Sequence, residues 1–364
     1  MKDEFDSKII TIREMLNQRN LDGLLLQKVH NFAWATCGAS SYVNTADEMG
    51  AAALIITRDK HYMVTNNIEA PRLLKEEGLE LQSWEAIITP WHQQENAFKQ
   101  ITNGLKMGSD TPSPDFEDVN EQLTVLRISL LPSERQRFAE VGRKCAEAMN
   151  KSIHQVKPGQ SEFDIAAILN SETQKREVLP IVNLIATDER VFAYRHPLPT
   201  KKKLERYAML VLCGRKYGLV CSITRFIHFG SIPDEIQVKA NAVAKIDAAL
   251  INSTKPGETL GSIFFKLQKQ YAAVGFADEW QLHHQGGLAA YLPREVIATP
   301  NSEVGVSAGQ AYAWNPSITG TKSEDTILIE EDGFKVITKI KDWPEVQVDL
   351  GDVQISRPSI LVID

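Results

Sequence analysis

Cysteine, long apolar runs and excess positive charge are all scarce in this 364-residue sequence. Its four cysteines lack the paired spacing of metal-binding cysteines, so we expect free, buried thiols in a reducing compartment rather than a Cys213–Cys221 bridge. No apolar run approaches the ~20 residues that cross a bilayer, and the charged amino terminus lacks the apolar core of a secretory signal. These absences predict a cytoplasmic protein without a membrane partner.

Charge and length narrow the class of protein further. The sequence has 40 Lys and Arg residues against 47 Asp and Glu residues, a net charge of −7, and no basic block. A nucleic-acid partner is therefore not expected. An apolar fraction of 43% and a charged fraction of 24% are typical of soluble globular proteins, and the length predicts two domains.

The most informative absence is that of acidic residues between positions 205 and 234. This stretch contains two short apolar segments, 209–213 and 219–223, joined by a polar turn that is marked by Gly214 and Gly218. The pattern predicts a β-hairpin within the core, with one end opening on a polar cavity.

The pattern of apolar residues divides the chain near residue 130. Strands alternate with helices in residues 1–130, which predicts a small α/β domain with a mixed sheet. Residues 131–364 begin with helical patterns and continue mainly as strands, interrupted by helices at 235–256 and 259–273. This second part is predicted to be an α+β domain, with helices packed on a strongly bent antiparallel sheet.

Two helix starts in the second domain have capping-box sequences. Ser133 is followed three residues later by Gln136, and Ser161 is followed by Asp164. In a capping box the first side chain accepts a hydrogen bond from the backbone three residues on, and the second side chain returns one. We therefore expect one helix to begin at Ser133 and another at Ser161.

Polar residues suited to catalysis gather at three places in the second domain. His196 precedes Pro-x-Pro and so lies on a stiff loop that can fix its orientation. His283 and His284 precede a Gly-Gly pair, which is typical of a cavity that another backbone approaches closely. A structural or solvated histidine is the alternative at each position. The third place is the polar segment from Asn315 to Glu324.

In their order and spacing, these segments resemble the creatinase, prolidase and aminopeptidase P family. The resemblance rests on residues 21–26 and 31–34, Lys157-Pro-Gly159 with Glu162, His196, the hairpin, His283-His284-Gln-Gly-Gly287 and Ser323-Glu-Asp-Thr326. It implies an accessory α/β domain followed by the pita-bread fold, in which helices cover a bent antiparallel sheet. Similar family members are dimers, so the resemblance also implies a homodimer.

Peptidases of this family bind two divalent metals through two Asp, one His and two Glu residues. The resemblance implies that the equivalent positions here are Leu212, Ser222, His284 (or His283), Asn315 and Glu324. These side chains retain only one carboxylate and one imidazole, which is a poor donor set for two divalent cations. Alternation along the strands is expected to turn Cys213 and Cys221 away from this face. The prediction is therefore that the protein has no metal cofactor.

Creatinase-like members of the family imply a chemistry without metal, in which a histidine acid/base works beside carboxylates that hold the substrate. The sequence keeps His196, which corresponds to the histidine beside the scissile bond, together with His284 and Glu324. We therefore expect these three to be the catalytic residues. The leading hypothesis is a metal-independent C–N hydrolase acting on a small amidine, amide or dipeptide-like substrate.

Hydroxyl, amide and guanidinium groups are expected to bind this small-molecule substrate. The predicted binding residues are Ser222, Thr224, Tyr291, Arg294 and Asn315. Arg225 is a further candidate, with a buried structural ion pair as the alternative. Two other functions stay open: a binding or scaffold protein without catalysis, and a metal-dependent prolidase-like peptidase with rearranged ligands.

Overall fold

Apolar residues at helical spacing in the first segment produce helix α1 (Lys2–Arg19), whose buried face includes Phe5, Ile9, Ile12 and Leu16. The computed structural model describes residues 2–364, apart from the side chains of residues 94–96. The chain forms two compact units. The first is Met1–Glu134 with Tyr217–Leu219, and the second is Arg135–Lys216 with Val220–Asp364. A helix long and apolar enough to span a membrane is absent from the described residues.

The first unit is built on one mixed sheet. Its further helices are α2 (Val29–Ala35), α3 (Ala70–Lys75), α4 (Gln94–Thr102) and α5 (Asn120–Ile128), with a 3₁₀ turn at Leu79–Leu81, and its strands are β1 (Gly23–Lys28), β2 (Met49–Thr57), β3 (His61–Asn66), β4 (Glu85–Thr89), β5 (Met107–Ser109) and β6 (Glu117–Asp118). The strand order is β4-β3-β2-β1-β5-β6, with antiparallel pairing at β1–β2 and β2–β3 and parallel pairing elsewhere. The predicted α/β class is confirmed.

The second unit combines long helices with short strands. Its helices, including the residues that lead into it, are α6 (Pro132–Ile153), α7 (Glu162–Gln174), α8 (Glu189–Ala193), α9 (Asp234–Ser253) and α10 (Leu260–Ala273), with a 3₁₀ turn at Glu279–Leu282. Its strands are β7 (Leu179–Thr187), β8 (Tyr207–Lys216), β9 (Leu219–Phe229), β10 (Gly286–Ala289), β11 (Val296–Ile297), β12 (Ala311–Trp314), β13 (Ser317–Ile318), β14 (Thr321–Lys322), β15 (Asp325–Glu330), β16 (Gly333–Val336), β17 (Glu345–Asp349), β18 (Gln354–Pro358) and β19 (Leu361–Ile363).

Two sheets form the centre of this unit. An antiparallel sheet has the order β11-β10-β12-β15-β16, and a second sheet has the order β19-β9-β8-β7. A backbone bridge between Thr224 and Glu324 connects them. One apolar cluster joins strand residues such as Leu184, Val211 and Phe226 to Ile236 of α9. Burial of this cluster fixes the hairpin that the sequence predicted, β8 with β9, inside the unit.

One of the two predicted capping boxes forms. Ser161 and Asp164 exchange side-chain to backbone hydrogen bonds at the start of α7, as predicted. Helix α6, however, already begins at Pro132, which suits a first helical position because its missing N–H needs no partner. Ser133 then lies inside the first turn, where its Oγ donates a hydrogen bond to Glu4 Oε2 at 2.7 Å. The prediction of a cap at Ser133 is wrong.

The turn of the central hairpin is also tighter than expected. It consists of Tyr217 and Gly218, whose φ angles of 56° and 75° are those of a two-residue hairpin turn. Gly214 instead lies within β8, where a Cβ would come within 2.5 Å of the Cys145 Sγ atom. Glycine is therefore required at position 214 by close packing, and its predicted role in the turn is wrong.

A network of buried ion pairs lies beside the site. Arg225 Nη2 is 2.8 Å from Asp325 Oδ1, and Arg357 Nη2 is 2.8 Å from Asp325 Oδ2 and 2.6 Å from Asp247 Oδ2. All four side chains are at most 2% exposed. Arg225 is therefore a structural residue that pairs with the strand carrying Asp325.

Candidate functional site

Glu324 lies between two cationic side chains. Its Oε1 accepts a hydrogen bond from Arg294 Nη2 at 2.9 Å, and its Oε2 is 2.8 Å from Lys322 Nζ. The Thr224 hydroxyl also donates to Oε2, at 2.5 Å. The three charged side chains are only 9%, 6% and 3% exposed for Arg294, Lys322 and Glu324. Both carboxylate oxygens are thus occupied by charge-assisted hydrogen bonds.

These contacts decide the ionisation of Glu324. Burial by itself raises the pKa of a carboxyl group. Here the attraction of Lys322 and Arg294, with hydrogen bonds from Lys322 and Thr224, outweighs burial and lowers the pKa of Glu324 from 4.5 to about 2. The carboxylate is ionised at neutral pH and is a poor proton acceptor. Its role in the site is to hold the two cations.

Three histidines form a cluster next to this ion pair. His283 Nε2 lies 3.0 Å from His196 Nε2, and the ring centroids of His283 and His284 are 4.4 Å apart. One nitrogen from each of the three rings lies within 4.8 Å of the others. His196 is exposed on the loop after α8, whereas His283 is 9% exposed. His196 is therefore the ring that a substrate or a water molecule reaches most easily.

The fully buried Gln285 holds the two adjacent histidines in place. Its Nε2 donates to the backbone oxygens of His283 and Trp280, at 2.5 and 3.0 Å, and its Oε1 accepts from the Tyr271 hydroxyl at 2.8 Å. The Gly-Gly pair follows at once. At Gly287, where φ is +150°, a Cβ would lie 2.1 Å from the Val296 backbone oxygen. The predicted close approach of another backbone is confirmed.

Burial and positive charge keep the imidazoles neutral. Burial lowers the pKa of His283 to about 2, that of His284 to about 4, and that of His196 below its usual 6.5. Among the cations, Lys322 has the larger effect on the pKa of His196 and His283, and Arg294 has the larger effect on that of His284. Lys322 therefore lowers mainly the pKa of His196 and His283, and Arg294 lowers mainly that of His284.

These groups surround a cavity of about 300 Å³. Five of the residues predicted from sequence line it, namely His196, His284, Arg294, Asn315 and Glu324. Its apolar wall includes Val182, Leu184, Val211 and Pro293. A small cavity with an apolar wall and a few converging polar groups is typical of a site for a small molecule.

Comparison with known proteins identifies the family. The model of metallopeptidase family M24 matches residues 136–332. The chain belongs to metallopeptidase family M24. An uncharacterized peptidase of Staphylococcus epidermidis is 27% identical over 241 residues, which cover 62% of this chain and 66% of that protein. A Xaa-Pro dipeptidase of Pyrococcus horikoshii is 22% identical over 365 residues, covering 93% and 98% of the two chains.

A solved structure supports the same fold. The prolidase from Pyrococcus horikoshii OT3 matches with a TM-score of 0.80 at 20% identity, covering 92% of this chain and 99% of that one. The predicted pita-bread fold is confirmed. The match to the staphylococcal relative spans 66% of that protein's length.

The remaining predicted residues lie behind or outside the cavity wall. Ser222 Oγ accepts a hydrogen bond from Arg294 Nη1 at 3.1 Å, and Thr224 supports Glu324. Both hydroxyls thus position charged groups from behind. Tyr291 is 1% exposed and lies outside the set of residues that line the cavity.

Leu212 and Cys213 are placed differently from the sequence prediction. Leu212 is fully buried and pairs with Asn183 of β7. Cys213 lines the cavity, and its Sγ is 3.3 Å from Ser222 Oγ. The expectation that Cys213 points away from the site is wrong. Cys221 does point away, because its Sγ contacts the Phe138 backbone oxygen at 3.8 Å. All four cysteines are free.

Sequence reasoning missed Lys322. It is two residues from Glu324, and alternation along an extended segment places residues two apart on the same face. That spacing could have pointed to the pair. The convergence of Arg294 on the same carboxylate could not be read from spacing, since 30 residues separate them in sequence.

The residues present do not fit the two divalent metals of the family. One carboxylate remains, and both its oxygens already bind cationic side chains. A divalent cation beside Arg294 and Lys322 would meet repulsion in a buried environment, where charge interactions are strong. The three imidazoles are a donor type that Zn²⁺ accepts. However, the positive potential that lowers their affinity for a proton acts in the same direction on a metal ion.

Proposed function

We propose that the protein is a metal-independent hydrolase that cleaves a C–N bond in a small amide, amidine or dipeptide-like molecule, with His196 as the acid/base. One observation carries the proposal: the retained carboxylate of Glu324 binds Arg294 and Lys322 through both oxygens. The site thereby holds fixed cationic side chains beside neutral imidazoles. This arrangement provides a base and a positive potential without a metal.

The reaction follows from these groups. Neutral His196 takes a proton from a water molecule as the water oxygen attacks the carbonyl or amidine carbon. In an amide, the carbonyl oxygen becomes negatively charged in the tetrahedral intermediate, and Lys322 stabilises that charge from its fixed position. The intermediate then collapses, the C–N bond breaks, and the His196 imidazolium donates its proton to the leaving nitrogen. One water is consumed, and the products are a carboxylic acid and an amine.

The other polar groups support this chemistry. His283 is the hydrogen-bonding partner of His196 and, since it is more deeply buried, orients that ring. Glu324 positions Lys322 and Arg294 rather than transferring a proton, because its pKa is about 2. The cavity wall excludes bulk water from one side of the reacting carbon, which strengthens the electrostatic effect of Lys322.

The test is hydrolysis in the absence of metal. The purified full chain is stripped with a chelator, its metal content is measured, and it is screened against small amides, amidines and dipeptides by product detection. We expect turnover to persist after stripping and to fall about 10²- to 10⁴-fold in His196→Ala. The exposed His154, which lies outside the cavity, supplies the matched control His154→Ala. Stoichiometric Mn, Fe, Co or Zn whose removal abolishes turnover would refute the proposal.

A second candidate is a binding protein without catalysis. It is favoured by the saturation of Glu324, which leaves the described cavity wall without a free carboxylate. The same screen decides between the two. A compound that raises the melting temperature of the protein but is never hydrolysed would select the binding function.

A further inference from the structure

A second cavity, of about 260 Å³, lies in the second unit. It has no lining residue in common with the catalytic cavity of about 300 Å³ among the residues that the structure describes. Glu324 lines the catalytic cavity and its neighbour Asp325 lines the second one, since adjacent residues of an extended segment point to opposite sides. The second cavity is therefore a separate space, and the proposed reaction does not use it.

Buried charged side chains form the floor of the second cavity. These floor residues are Arg225, Asp325 and Arg357, and each side chain is at most 2% exposed. The Asp325 carboxylate accepts hydrogen bonds at both oxygens, from Arg225 and the Thr338 hydroxyl at Oδ1 and from Arg357 at Oδ2. Both oxygens of the floor carboxylate are therefore occupied, and a ligand that reaches the floor meets mainly the two guanidinium groups.

The two floor arginines have more N–H groups than the surrounding protein pairs. A guanidinium group carries five N–H donors. Nη1 and Nη2 of Arg225 donate to Asp325 and to the backbone oxygens of residues 224, 324 and 338, and its Nε is buried without a partner among the described residues. Arg357 donates through Nε and Nη2 to Asp247 and Asp325, and its Nη1 has no hydrogen-bond partner within the described part of the chain. The Nε–H of Arg225 and both Nη1 hydrogens of Arg357 are therefore unpaired.

The charges around the second cavity are balanced. The floor arginines are matched by Asp325 and by Asp247, whose Oδ2 lies 2.6 Å from Arg357 Nη2. Nearer the surface, Lys339 and Glu345 also line the cavity and pair with each other at 3.0 Å. A buried N–H group without a partner is costly, and a buried charge without a counter-ion is costlier still. The ligand that satisfies this floor therefore needs an acceptor oxygen but no net charge.

Above the floor, the wall of the second cavity is apolar. It includes Phe334, Val336, Ile340, Trp343, Val353 and Ile355. Trp343 is 7% exposed, and Arg225 Cζ lies 5.8 Å from the centroid of its ring, so this ring connects the wall to the floor. Val353 is 37% exposed and the Lys339 side chain is 58% exposed, which places both at the mouth. An apolar wall above a few polar groups is typical of a small-molecule site, and it favours an aliphatic or aromatic group of the ligand.

We propose that this cavity is a second small-molecule site, which binds an uncharged molecule with an apolar body and a carbonyl oxygen. The apolar body lies against Trp343, and the carbonyl oxygen accepts hydrogen bonds from Arg357 Nη1. Burial of the body supplies most of the affinity, and the hydrogen bond from a charged donor fixes the orientation. The inference does not depend on the proposed hydrolase, because it uses none of the catalytic groups.

Four small probes test the two requirements separately. Ligand-observed NMR titrations of the full chain at pH 7 compare benzamide, benzoate, benzylammonium and acetamide. Benzoate and benzylammonium keep the ring but add a charge, whereas acetamide keeps the carbonyl group but lacks the ring. We expect benzamide to bind with a dissociation constant on the order of 1 mM, and at least about fivefold tighter than the other three probes. Absence of benzamide binding, or equal or tighter binding of any other probe, would overturn the inference.

A substitution at the mouth tests whether the probe occupies this cavity. In Val353→Trp the larger side chain fills the space and removes none of the ion pairs, so the affinity for benzamide should fall by at least about tenfold. Val362, which is 42% exposed and lies outside the set of lining residues, supplies the matched control Val362→Trp. The control should bind benzamide as the wild type does. Unchanged affinity in Val353→Trp would mean that benzamide binds elsewhere, and it would refute the inference.

A second substitution tests the hydrogen-bond donor. Arg357→Lys keeps the positive charge but removes Nη1, so the affinity for benzamide should fall about threefold to tenfold. Unchanged affinity in a folded Arg357→Lys protein, as judged by its melting temperature, would contradict the assignment of the carbonyl oxygen to this donor. If either variant does not fold, the ranking of the four probes on the wild type decides, together with a crystal structure of the benzamide complex. Benzamide found away from Trp343 and Arg357 in that structure would refute the site.

Discussion

Neutralising Glu324 should destabilise the protein far more than removing an exposed carboxylate. In Glu324→Gln, the guanidinium of Arg294 and the ammonium of Lys322 lose the anion that lies 2.9 and 2.8 Å from them. Arg294 stays in place because Ser222 and the Pro293 carbonyl also accept its hydrogen bonds, and the Lys322 side chain is only 6% exposed. The site changes from a net charge of +1 to +2.

The magnitude follows from two independent considerations. Removing one partner of a buried ion pair costs about 3–5 kcal/mol of unfolding free energy. The pKa of Glu324 is lowered from 4.5 to about 2, which corresponds to roughly 3 kcal/mol of preference for the ionised form in the folded state. Because the folded pKa is lowered, this contribution is present above pH 4.5 and is lost as the pH falls toward 2.

Urea unfolding at pH 7, followed by circular dichroism, measures the change. We expect Glu324→Gln to lower the unfolding free energy by about 3 kcal/mol or more. The control is Glu177→Gln, which neutralises a carboxylate that is 74% exposed and 2.9 Å from Lys144. Since solvent screens that pair, the control should unfold at nearly the same urea concentration as the wild type.

A double variant tests the reason for the loss. Combining Glu324→Gln with Arg294→Gln restores a net charge of +1, so the double variant should be more stable than the sum of the single changes predicts. A coupling of at least about 1 kcal/mol is expected for groups in direct contact. Additive effects within about 0.5 kcal/mol, or a loss in Glu324→Gln no larger than in the control, would refute the ion-pair argument.

Three further changes test other parts of the structure. Burial lowers the pKa of His283 to about 2, so protonation of this ring favours the unfolded chain. The unfolding free energy should therefore fall as the pH drops below 6.5, by at most about 1.4 kcal/mol per pH unit. His283→Asn should reduce this slope in urea titrations between pH 7 and 5, and an unchanged slope would contradict the argument. Asp325→Ala removes a partner from the buried Arg225 and Arg357, and it should lower the unfolding free energy by about 3–5 kcal/mol in the same assay. Little change in the unfolding free energy would show that solvent screens the network. Gly287→Ala places a Cβ within 2.1 Å of the Val296 backbone oxygen, so it should lower the melting temperature by several degrees or prevent soluble expression. A melting temperature equal to that of the wild type would show that the strand carrying Val296 can move.

Local sequence signals predicted the fold well where the decisive contacts are local. The capping box at Ser161 and the close approach at Gly287 depend on residues a few positions apart, or on the backbone itself. The cap at Ser133 failed because Pro132 already begins the helix and Glu4, more than a hundred residues earlier, takes the serine hydroxyl. A short-range sequence pattern cannot show that a residue distant in sequence will bind the hydroxyl of the predicted capping residue.

The face of the central hairpin was harder to predict for a related reason. Side chains alternate between the two faces along one strand, but the sequence does not show which of the two faces lines the cavity. The pairing of β8 with β7 shifts register between Pro180 and Val182, and Cys213 is then opposite Val182 on the cavity wall. The extra residue of this irregularity lies in β7, so β8 keeps its regular alternation. Leu212, which the family resemblance assigned to the site, therefore lies on the face of β8 opposite Cys213 and is buried.

The composition of the charged site was only partly accessible from sequence. His196, His284, Arg294, Asn315 and Glu324 were predicted and line one cavity. Their combined chemistry depends on distances that the sequence does not contain, above all the ion pairs of Glu324 with Arg294 and Lys322. The catalytic roles, the absence of a cofactor, the cytoplasmic location and the homodimer stay predictions.

The adjacent residues Glu324 and Asp325 have different roles on the two sides of one segment, and this separation affects which substitutions the fold can tolerate. Glu324 faces the cavity, and its neighbour Asp325 pairs with Arg225 and Arg357 in a buried network. Since that network binds the strands together through Arg225, Asp325 and Arg357, cavity side chains outside the Glu324 ion pairs can be replaced while these strand contacts stay in place. The protein is therefore a favourable starting point for installing new reactions, provided that Asp325 and the ion pairs of Glu324 are left unchanged.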